Sequence, residues 1–155
     1  MNSFQPPTFS EGKRPQQTSV EESSLTVVGA AIVNDLGQVL AAQRAEPPAL
    51  AGGWEFPGGK VDPGESDEVA IVRECREELG VEVELVDRLG PDLPLQRDRG
   101  VLRVWIARLA AGEPTALEHA ELRWLGADQL DDVAWLPADA PLIDELRARL
   151  GSWGR

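Results

Sequence analysis

The spacing of apolar residues predicts a domain of mixed strands and helices between Leu25 and Leu150. Apolar and β-branched residues fill Leu25 to Val33, which is typical of a buried strand. Val81 to Leu89 alternates apolar with polar residues, which indicates a strand with one polar face. The same criteria predict further strands at residues 39–44, 54–56, 101–109 and 122–125. Segments rich in turn-forming residues separate them at 34–37, 45–53, 57–59 and 90–100.

Two segments show the periodicity of amphipathic helices. The first begins at Ser66 or Asp67 and ends at Leu79, because Gly80 is a C-terminal stop signal. Its predicted apolar stripe consists of Val69, Val72, Cys75 and Leu79 and lies opposite the glutamates of the helix. The second covers residues 138–150, with Leu142, Ile143, Leu146 and Leu150 facing inward, and a helical turn is predicted at 127–130. Since strands and helices follow no strict alternation, we expect an α/β or α+β domain with a mixed sheet.

The first 24 residues differ from the rest of the chain. They are rich in Ser, Gln, Pro and Glu and show no hydrophobic periodicity, which is typical of segments that cannot bury a core. We therefore predict a disordered N-terminal tail at residues 1–24 and one folded domain at residues 25–155.

Composition narrows the range of functions. The formal net charge is −12, which argues against a nucleic-acid duplex as partner, because proteins that bind duplexes carry basic surfaces. No apolar run approaches the ~20 residues of a membrane span, and no secretory signal is visible. The single cysteine cannot form an internal disulfide, which fits a reducing compartment. We therefore expect a cytoplasmic protein, a monomer or weak homodimer, that binds neither membranes nor duplexes.

Three carboxylates follow one another at helical spacing in the first predicted helix. Glu74, Glu77 and Glu78 stand at i, i+3 and i+4 and therefore share one helix face. Such neighbours repel each other, by roughly a few tenths of a kcal/mol per pair. A hard divalent cation such as Mg²⁺ or Mn²⁺ turns that repulsion into binding, because it prefers carboxylate oxygens.

This helix and the residues before it resemble the signature of the Nudix family, G-x5-E-x7-R-E-U-x-E-E-x-G-U, where U is a bulky aliphatic residue. The matching positions are Gly59, Glu65, Arg73, Glu74, Glu77, Glu78, Gly80 and Val81. Cys75 occupies the first U position, a mild departure because cysteine packs as a small hydrophobe. The resemblance extends from about Val27 to about Leu150 and implies the α/β/α sandwich of that family.

The resemblance also implies the ligands of a Mg²⁺ site, with Mn²⁺ as a possible substitute. These ligands are Glu74, Glu77, Glu78 and the carbonyl of Gly58. Glu118 matches a metal-contacting glutamate of the MutT branch, and Glu121 competes for that role. The general base is either a glutamate of the signature, such as Glu77, or Glu118.

Two further signature residues support this site in the resemblance. Arg73 either pairs with Glu77 one turn later or orients a metal-binding carboxylate. Glu65 lies just before the helix, where we assign it first a structural role in the loop.

Several other residues are candidates for contacts with a substrate. Arg44 matches the family position whose arginine meets the α-phosphate, and Lys60 follows the two glycines with a second cation suited to phosphate. Phe56, Trp54 and Trp105 are candidate walls of a base pocket, although large aromatics more often belong to the core. His119, the only histidine, is either a packing residue or a substrate contact.

Residues 54–65 (WEFPGGKVDPGE) and 136–141 (LPADAP) add to the signature. With it they most closely resemble MutT-type nucleoside triphosphate pyrophosphohydrolases, whose branches act on 8-oxo-dGTP or on cytidine nucleotides such as CTP and dCTP. Asp139 stands where the guanine branch has Asn. A carboxylate accepts hydrogen bonds from the cytosine amine, although oxidised guanine also offers N–H donors, and Asp139 can alternatively cap the last helix. Other readings are a Nudix hydrolase for ADP-ribose or another nucleoside diphosphate derivative, and a Nudix module that binds nucleotides without catalysis.

Overall fold

Seven strands form one mixed sheet in the part of the chain that the computed structural model describes, residues 25–95 and 99–153. The strands are β1 Leu25–Val33, β2 Val39–Gln43, β3 Trp54–Glu55, β4 Gly58–Lys60, β5 Glu82–Pro94, β6 Gly100–Ala111 and β7 Glu121–Leu125. The order is β3-β2-β1-β6-β5, with β4 beside β1 and β7 beside β2. β1 and β6 run parallel, and the other neighbours are antiparallel. The predicted tail at residues 1–24 lies outside the described residues.

The central strand β1 is buried on both faces, as its apolar run predicts. Val28, Ala30 and Ile32 face one layer of the core, whereas Ala31 and Val33 face the other. A helix covers each layer. Helix α1, Asp67–Leu79, packs on the first layer, and helix α2, Ile143–Gly151, packs on the second. The α/β/α sandwich with a mixed sheet is confirmed.

Three predicted boundaries differ from the structure. Strand β5, which was predicted to end at Leu89, continues to Pro94, because a register shift after Leu89 restores its pairing with β6. The glycine turn at residues 57–59 is instead the short strand β4. In the third case a 3₁₀ turn at Ala140–Leu142 precedes α2, so that helix begins at Ile143 and not at residue 138.

Smaller features of the C-terminal part follow the sequence more closely. The predicted helical turn at 127–130 lies slightly later, as a 3₁₀ turn at Leu130–Asp132. The four apolar residues predicted to face inward are buried: Leu142, Ile143, Leu146 and Leu150. Within residues 25–95 and 99–153, none of the helices has the length and apolar content that crossing a bilayer requires.

The predicted apolar stripe of α1 is wrong at its first member. Val69 is 54% exposed, whereas Ala70 and Ile71 are fully buried. The helix is thus rotated from the predicted orientation, so its carboxylates do not lie opposite its apolar face. Glu74 and Glu78 border that face, and Glu78 is itself buried at 8% exposure. This rotation points acidic side chains toward the sheet.

Both ends of α1 carry capping residues, and the C-terminal one, Gly80, is the stop that the sequence predicts. The Ser66 hydroxyl accepts a hydrogen bond from the Val69 N–H at 3.2 Å, which satisfies one of the unpaired donors of the first turn. At the other end, Gly80 has a φ of 72°, a conformation that favours glycine, and its N–H donates to the Arg76 carbonyl at 3.0 Å. The bounds of the acidic helix are therefore fixed locally.

Replacing the N-cap should destabilise the protein without changing its architecture. We expect Ser66→Ala to lower the free energy of unfolding by about 1 kcal/mol, because the Val69 N–H loses its acceptor. Ser66→Asp keeps an acceptor at this position and should remain near the wild type. Urea unfolding followed by circular dichroism measures both variants. An unchanged unfolding midpoint in Ser66→Ala would contradict the capping assignment.

Candidate active site

Two glycines bring strand β4 into close contact with β1 and with helix α1. Gly58 pairs with Gly29 of β1, and Gly59 pairs with Val28. A side chain at Gly58 would collide with the Val28 carbonyl, and one at Gly59 would collide with the Glu74 carboxylate. Close backbone approach is therefore the reason for glycine at both positions. A positive φ is not the reason, because both glycines lie in extended strand conformation.

The carboxylate of Glu78 is held at this contact. Its Oε1 accepts a hydrogen bond from the Gly58 N–H at 3.4 Å. Burial raises the pKa of Glu78, and the neighbouring carboxylates of Glu74 and Glu118 raise it further. A buried carboxylate beside other carboxylates is stable only with a proton or a cation close by. Glu78 therefore requires either a proton or another source of positive charge at this edge of the sheet.

Arg73 supplies part of that positive charge from the same helix. Its Nε and Nη2 donate to the two oxygens of Glu65 at 2.8 and 2.9 Å, a bidentate ion pair. Its Nη1 donates to Glu74 at 3.1 Å and lies 3.5 Å from Glu77. Arg73 therefore contacts both Glu77 and Glu74, and its role in orienting a metal-binding carboxylate stays a prediction.

Glu65 has the structural position that the sequence predicts. Besides binding Arg73, it accepts a hydrogen bond from the Asp62 N–H at 2.8 Å, and Arg73 reaches the Lys60 carbonyl at 3.0 Å. The hydrogen bonds from Arg73 and Asp62 lower the pKa of Glu65 to about 2. Glu65 and Arg73 therefore tie the loop after β4 to the helix that carries the carboxylates.

The donor set fits a hard divalent cation in its chemistry. The candidate ligands Glu74, Glu77 and Glu78 offer only oxygen atoms, the donors that Mg²⁺ and Mn²⁺ prefer. Within residues 25–95 and 99–153, no three Asp, Glu, His or Cys side chains are grouped closely enough to hold a metal ion. The contacts explain this, because Arg73 holds oxygens of Glu74 and Glu77.

The loop between β6 and β7 is attached to the end of helix α1. The N–H groups of Thr115 and Leu117 donate to the carbonyls of Leu79 and Glu78 at 3.0 and 3.2 Å, which satisfies carbonyls that the helix leaves unpaired. Glu118 follows in this loop with an exposed side chain, close enough for its charge to raise the pKa of Glu78. Glu118 therefore lies near Glu78. We call the carboxylates of Glu74, Glu77, Glu78 and Glu118, beside Gly58 and Gly59, the acidic edge.

The competing glutamate of this region has a different environment. Glu121 begins β7, pairs with Gln43 of β2, and receives a hydrogen bond from Arg123 at 3.2 Å. Because Arg123 already neutralises Glu121, Glu118 is the better candidate for a role at the acidic edge.

A cavity of about 470 Å³ extends from the two glycines into the domain. Its charged lining residues are Arg44, Glu55, Arg99 and Asp139, and its apolar lining includes Phe56 and Leu136. The volume is in the range of small-molecule pockets. Gly58, Arg44, Phe56 and Asp139, which the sequence placed in one site, therefore line one cavity.

Asp139 lies almost fully inside the protein, at 6% exposure. Burial and the nearby charge of Glu55 raise the pKa of Asp139 to about 8, while a hydrogen bond with the Phe56 backbone and the charge of Arg44 act in the opposite direction. Its side chain makes no capping hydrogen bond to the turn that follows. Asp139 therefore faces the cavity mainly as a protonated acid at neutral pH, and does not cap the helix.

Three other candidates lie outside the lining of this cavity. Trp54 is buried in the layer that α2 covers, with Arg123 5.2 Å above its ring. Trp105 lies on the α1 side of the sheet, where its Nε1 donates to Asp67 at 3.3 Å. Lys60 is exposed at the end of β4, and its role in phosphate binding stays a prediction.

Sequence reasoning missed Glu55 and underrated His119. Glu55 contacts the Arg44 guanidinium at 3.2 Å and His119 Nε2 at 3.0 Å. The His119 side chain is only 7% exposed and lies 3.9 Å from Glu78. Glu55 lies between two aromatic residues of a short strand, and successive side chains of a strand point to opposite faces. This alternation was the one signal in the sequence that Glu55 faces away from its two aromatic neighbours.

The comparisons with known proteins agree with this geometry. A family model described as the NUDIX domain matches residues 24–146. The putative 8-oxo-dGTP diphosphatase 2 of Mycobacterium tuberculosis is 46% identical over 127 residues, which cover 80% of this chain and 89% of that protein. The CTP pyrophosphohydrolase of Escherichia coli is 38% identical over 122 residues, covering 78% of this chain and 90% of that protein.

A solved structure shows the same architecture. The solution structure of the E. coli ORF135 protein superposes with a TM-score of 0.71 at 32% sequence identity, covering 87% of this chain and 96% of that one. The chain therefore belongs to the Nudix family, and its mixed sheet between two helices is the fold of that family. The family resemblance read from the signature residues is confirmed.

A side chain at Gly59 should damage the acidic edge selectively. We expect Gly59→Ala to weaken Mn²⁺ binding about tenfold or more, because the added carbon occupies the place of the Glu74 carboxylate. Gly151→Ala is the matched control, since its added carbon meets no atom within 4 Å. Isothermal titration calorimetry with Mn²⁺ measures both variants, and circular dichroism verifies their folding. Equal affinities for Mn²⁺ in the two folded variants would contradict this site.

Proposed function

We propose that this protein hydrolyses a nucleoside triphosphate to the monophosphate and pyrophosphate, with Mg²⁺ as cofactor and Mn²⁺ as a substitute. One observation carries the proposal: a single cavity joins the acidic edge at Gly58 and Gly59 to a guanidinium and a buried acid at Arg44 and Asp139. The acidic edge suits the metal-bound phosphates of a nucleotide, the guanidinium suits its α-phosphate, and the buried acid suits its base. The relatives named as a diphosphatase and a pyrophosphohydrolase support the same reaction.

The acidic edge would hold the cation. Its proposed ligands are Glu74, Glu77, Glu78, Glu118 and the Gly58 carbonyl. When bound, a divalent cation neutralises charge on the phosphoryl oxygens and makes a bound water acidic. Arg73 and Glu65 keep these carboxylates in place through the bidentate pair and the 3.1 Å contact to Glu74.

Side chains of the protein perform the remaining tasks, which are proton transfer, phosphate binding and exclusion of water. Glu77 or Glu118 takes the proton from the attacking water, because both are exposed carboxylates at the acidic edge. Arg44 binds the α-phosphate with its guanidinium, and Lys60 adds positive charge near the outer phosphates. The cavity walls at Phe56 and Leu136 exclude water from the nucleoside.

The proposed substrates are 8-oxo-dGTP and CTP-type nucleotides, and the proposed role is sanitation of the nucleotide pool in the cytoplasm. Both substrate names occur among the relatives. A protonated Asp139 carries one O–H donor beside a carbonyl acceptor, so that it can donate and accept, as the Asn of the guanine branch can with its two N–H donors and one carbonyl. The burial of Asp139 thus supports the reading of either base at neutral pH.

Removing one carboxylate should abolish most activity while the fold survives. We expect Glu77→Gln to lower kcat about a hundredfold or more, because a ligand and candidate base is lost. The melting temperature should hardly change, since the Glu77 side chain is 54% exposed. Glu68→Gln, an exposed glutamate on the same helix, is the matched control. Turnover of CTP by Glu77→Gln at the wild-type rate would refute the metal assignment.

The protonation of Asp139 should make base recognition depend on pH. Below a pKa of about 8 the acid donates to cytosine N3 and accepts from its amine, whereas the ionised form above that pH only accepts. The ratio of wild-type to Asp139→Asn kcat/KM for CTP should therefore be constant below pH 7 and fall above pH 8. Using the ratio removes the pH dependence of the metal chemistry, which both enzymes share. A constant ratio from pH 6 to pH 10 would overturn this role.

A further inference from the structure

His119 lies between the nucleoside cavity and the acidic edge. Its Nε2 is 3.0 Å from Oε2 of Glu55 and 3.9 Å from Oε1 of Glu78. The ring is buried, with its side chain 7% exposed. His119 is thus placed to connect a carboxylate of the cavity with a carboxylate of the acidic edge.

Glu55 extends this connection to the phosphate-binding side of the cavity. Its Oε1 receives a hydrogen bond from Arg44 Nη1 at 3.2 Å, while its Oε2 faces His119. The Glu55 side chain is itself mostly buried, at 17% exposure. Because each oxygen of Glu55 has a different partner, a shift of His119 also shifts the acceptor of Arg44.

We propose that Glu55 and His119 form a positioning bridge that holds the Arg44 guanidinium at a fixed place relative to the Glu78 carboxylate. The bridge rests on the proposed function, since it aligns the phosphate-binding residue with the metal-binding residues. Glu55 and His119 do not touch the reacting atoms and act through Arg44 and Glu78. They are therefore positioning residues of the reaction.

The hydrogen bond with Glu55 identifies the nitrogen of His119 that takes part in the bridge. A carboxylate oxygen of Glu55 accepts, so His119 Nε2 carries the hydrogen. His119 Nδ1 is buried and has no hydrogen-bond partner among residues 25–95 and 99–153. One nitrogen of the ring therefore carries the connection, and a replacement that restores a donor at the Nε2 place should restore the bridge.

Hydrogen bonds hold the loop on both sides of His119, and a positioning role requires such a fixed location of the ring. Thr115 and Leu117 attach the loop to the last carbonyls of α1, and the Ala120 N–H donates to the Gln43 carbonyl of β2 at 2.9 Å. The bridge thus spans from the helix that carries Glu78 to the strand that precedes Arg44. Outer partners of metal-binding side chains commonly change activity about 10- to 100-fold when they are removed.

The first test compares two amide replacements of His119. Glutamine places its amide nitrogen near the Nε2 position, whereas asparagine reaches only the Nδ1 position. We expect His119→Asn to lower kcat about tenfold or more and to weaken binding of a non-hydrolysable methylene CTP analogue, and His119→Gln to retain most of both. A merely structural role would lower the melting temperatures of both variants and leave their kcat values equal. Equal effects of the two substitutions would overturn the bridge.

A double-mutant cycle tests whether Glu55 and His119 act together. If they form one bridge, Glu55→Gln combined with His119→Asn should weaken analogue binding no more than the worse single variant. Additive losses would overturn the proposal. Wild-type turnover of CTP and 8-oxo-dGTP, measured first, decides the proposed function separately, since the analogue reports on the bridge even without turnover.

Discussion

The contact between strand β4 and helix α1 is the constraint on which the site depends. Gly58 and Gly59 carry no side chains, so the Val28 carbonyl lies against the first and the Glu74 carboxylate against the second. The same two glycines line the cavity of about 470 Å³. Because backbone and carboxylate meet there directly, phosphates in the cavity would lie beside acidic oxygens and not behind a wall of side chains.

This contact concentrates negative charge that the protein neutralises only in part. Arg73 satisfies Glu65 fully and shares one nitrogen between Glu74 and Glu77. Glu78 has no hydrogen bond from Arg73 in the described residues, and its pKa is raised by burial and by its acidic neighbours. A structure without a function for this charge would gain stability from an apolar residue at position 78. The arrangement supports the proposed binding of a cation, whose positive charge would replace the proton that the raised pKa of Glu78 favours.

The sequence predicted the helix of this site well because its signals are local. Ser66, Gly80 and the carboxylate spacing depend on residues within one or two turns. It failed for the helix rotation, since Val69 and Ala70 are both apolar and only packing against the sheet decides which of them is buried. The bridge of Glu55 and His119 lay beyond prediction, because 64 positions separate these residues in the chain.

Asp139 shows why residue identity alone does not determine which base is read. Read from the sequence, an aspartate offers only acceptors and favours the cytosine amine. In the fold, burial and the charge of Glu55 raise its pKa to about 8, so the side chain gains an O–H donor at neutral pH. Its side chain can then both donate and accept, as asparagine can, and both substrate classes named among the relatives are chemically compatible with the proposed contact. Under the proposed function, the shape of the cavity around Phe56 and Leu136 then adds a second criterion for the base, because a purine and a pyrimidine fill different volumes.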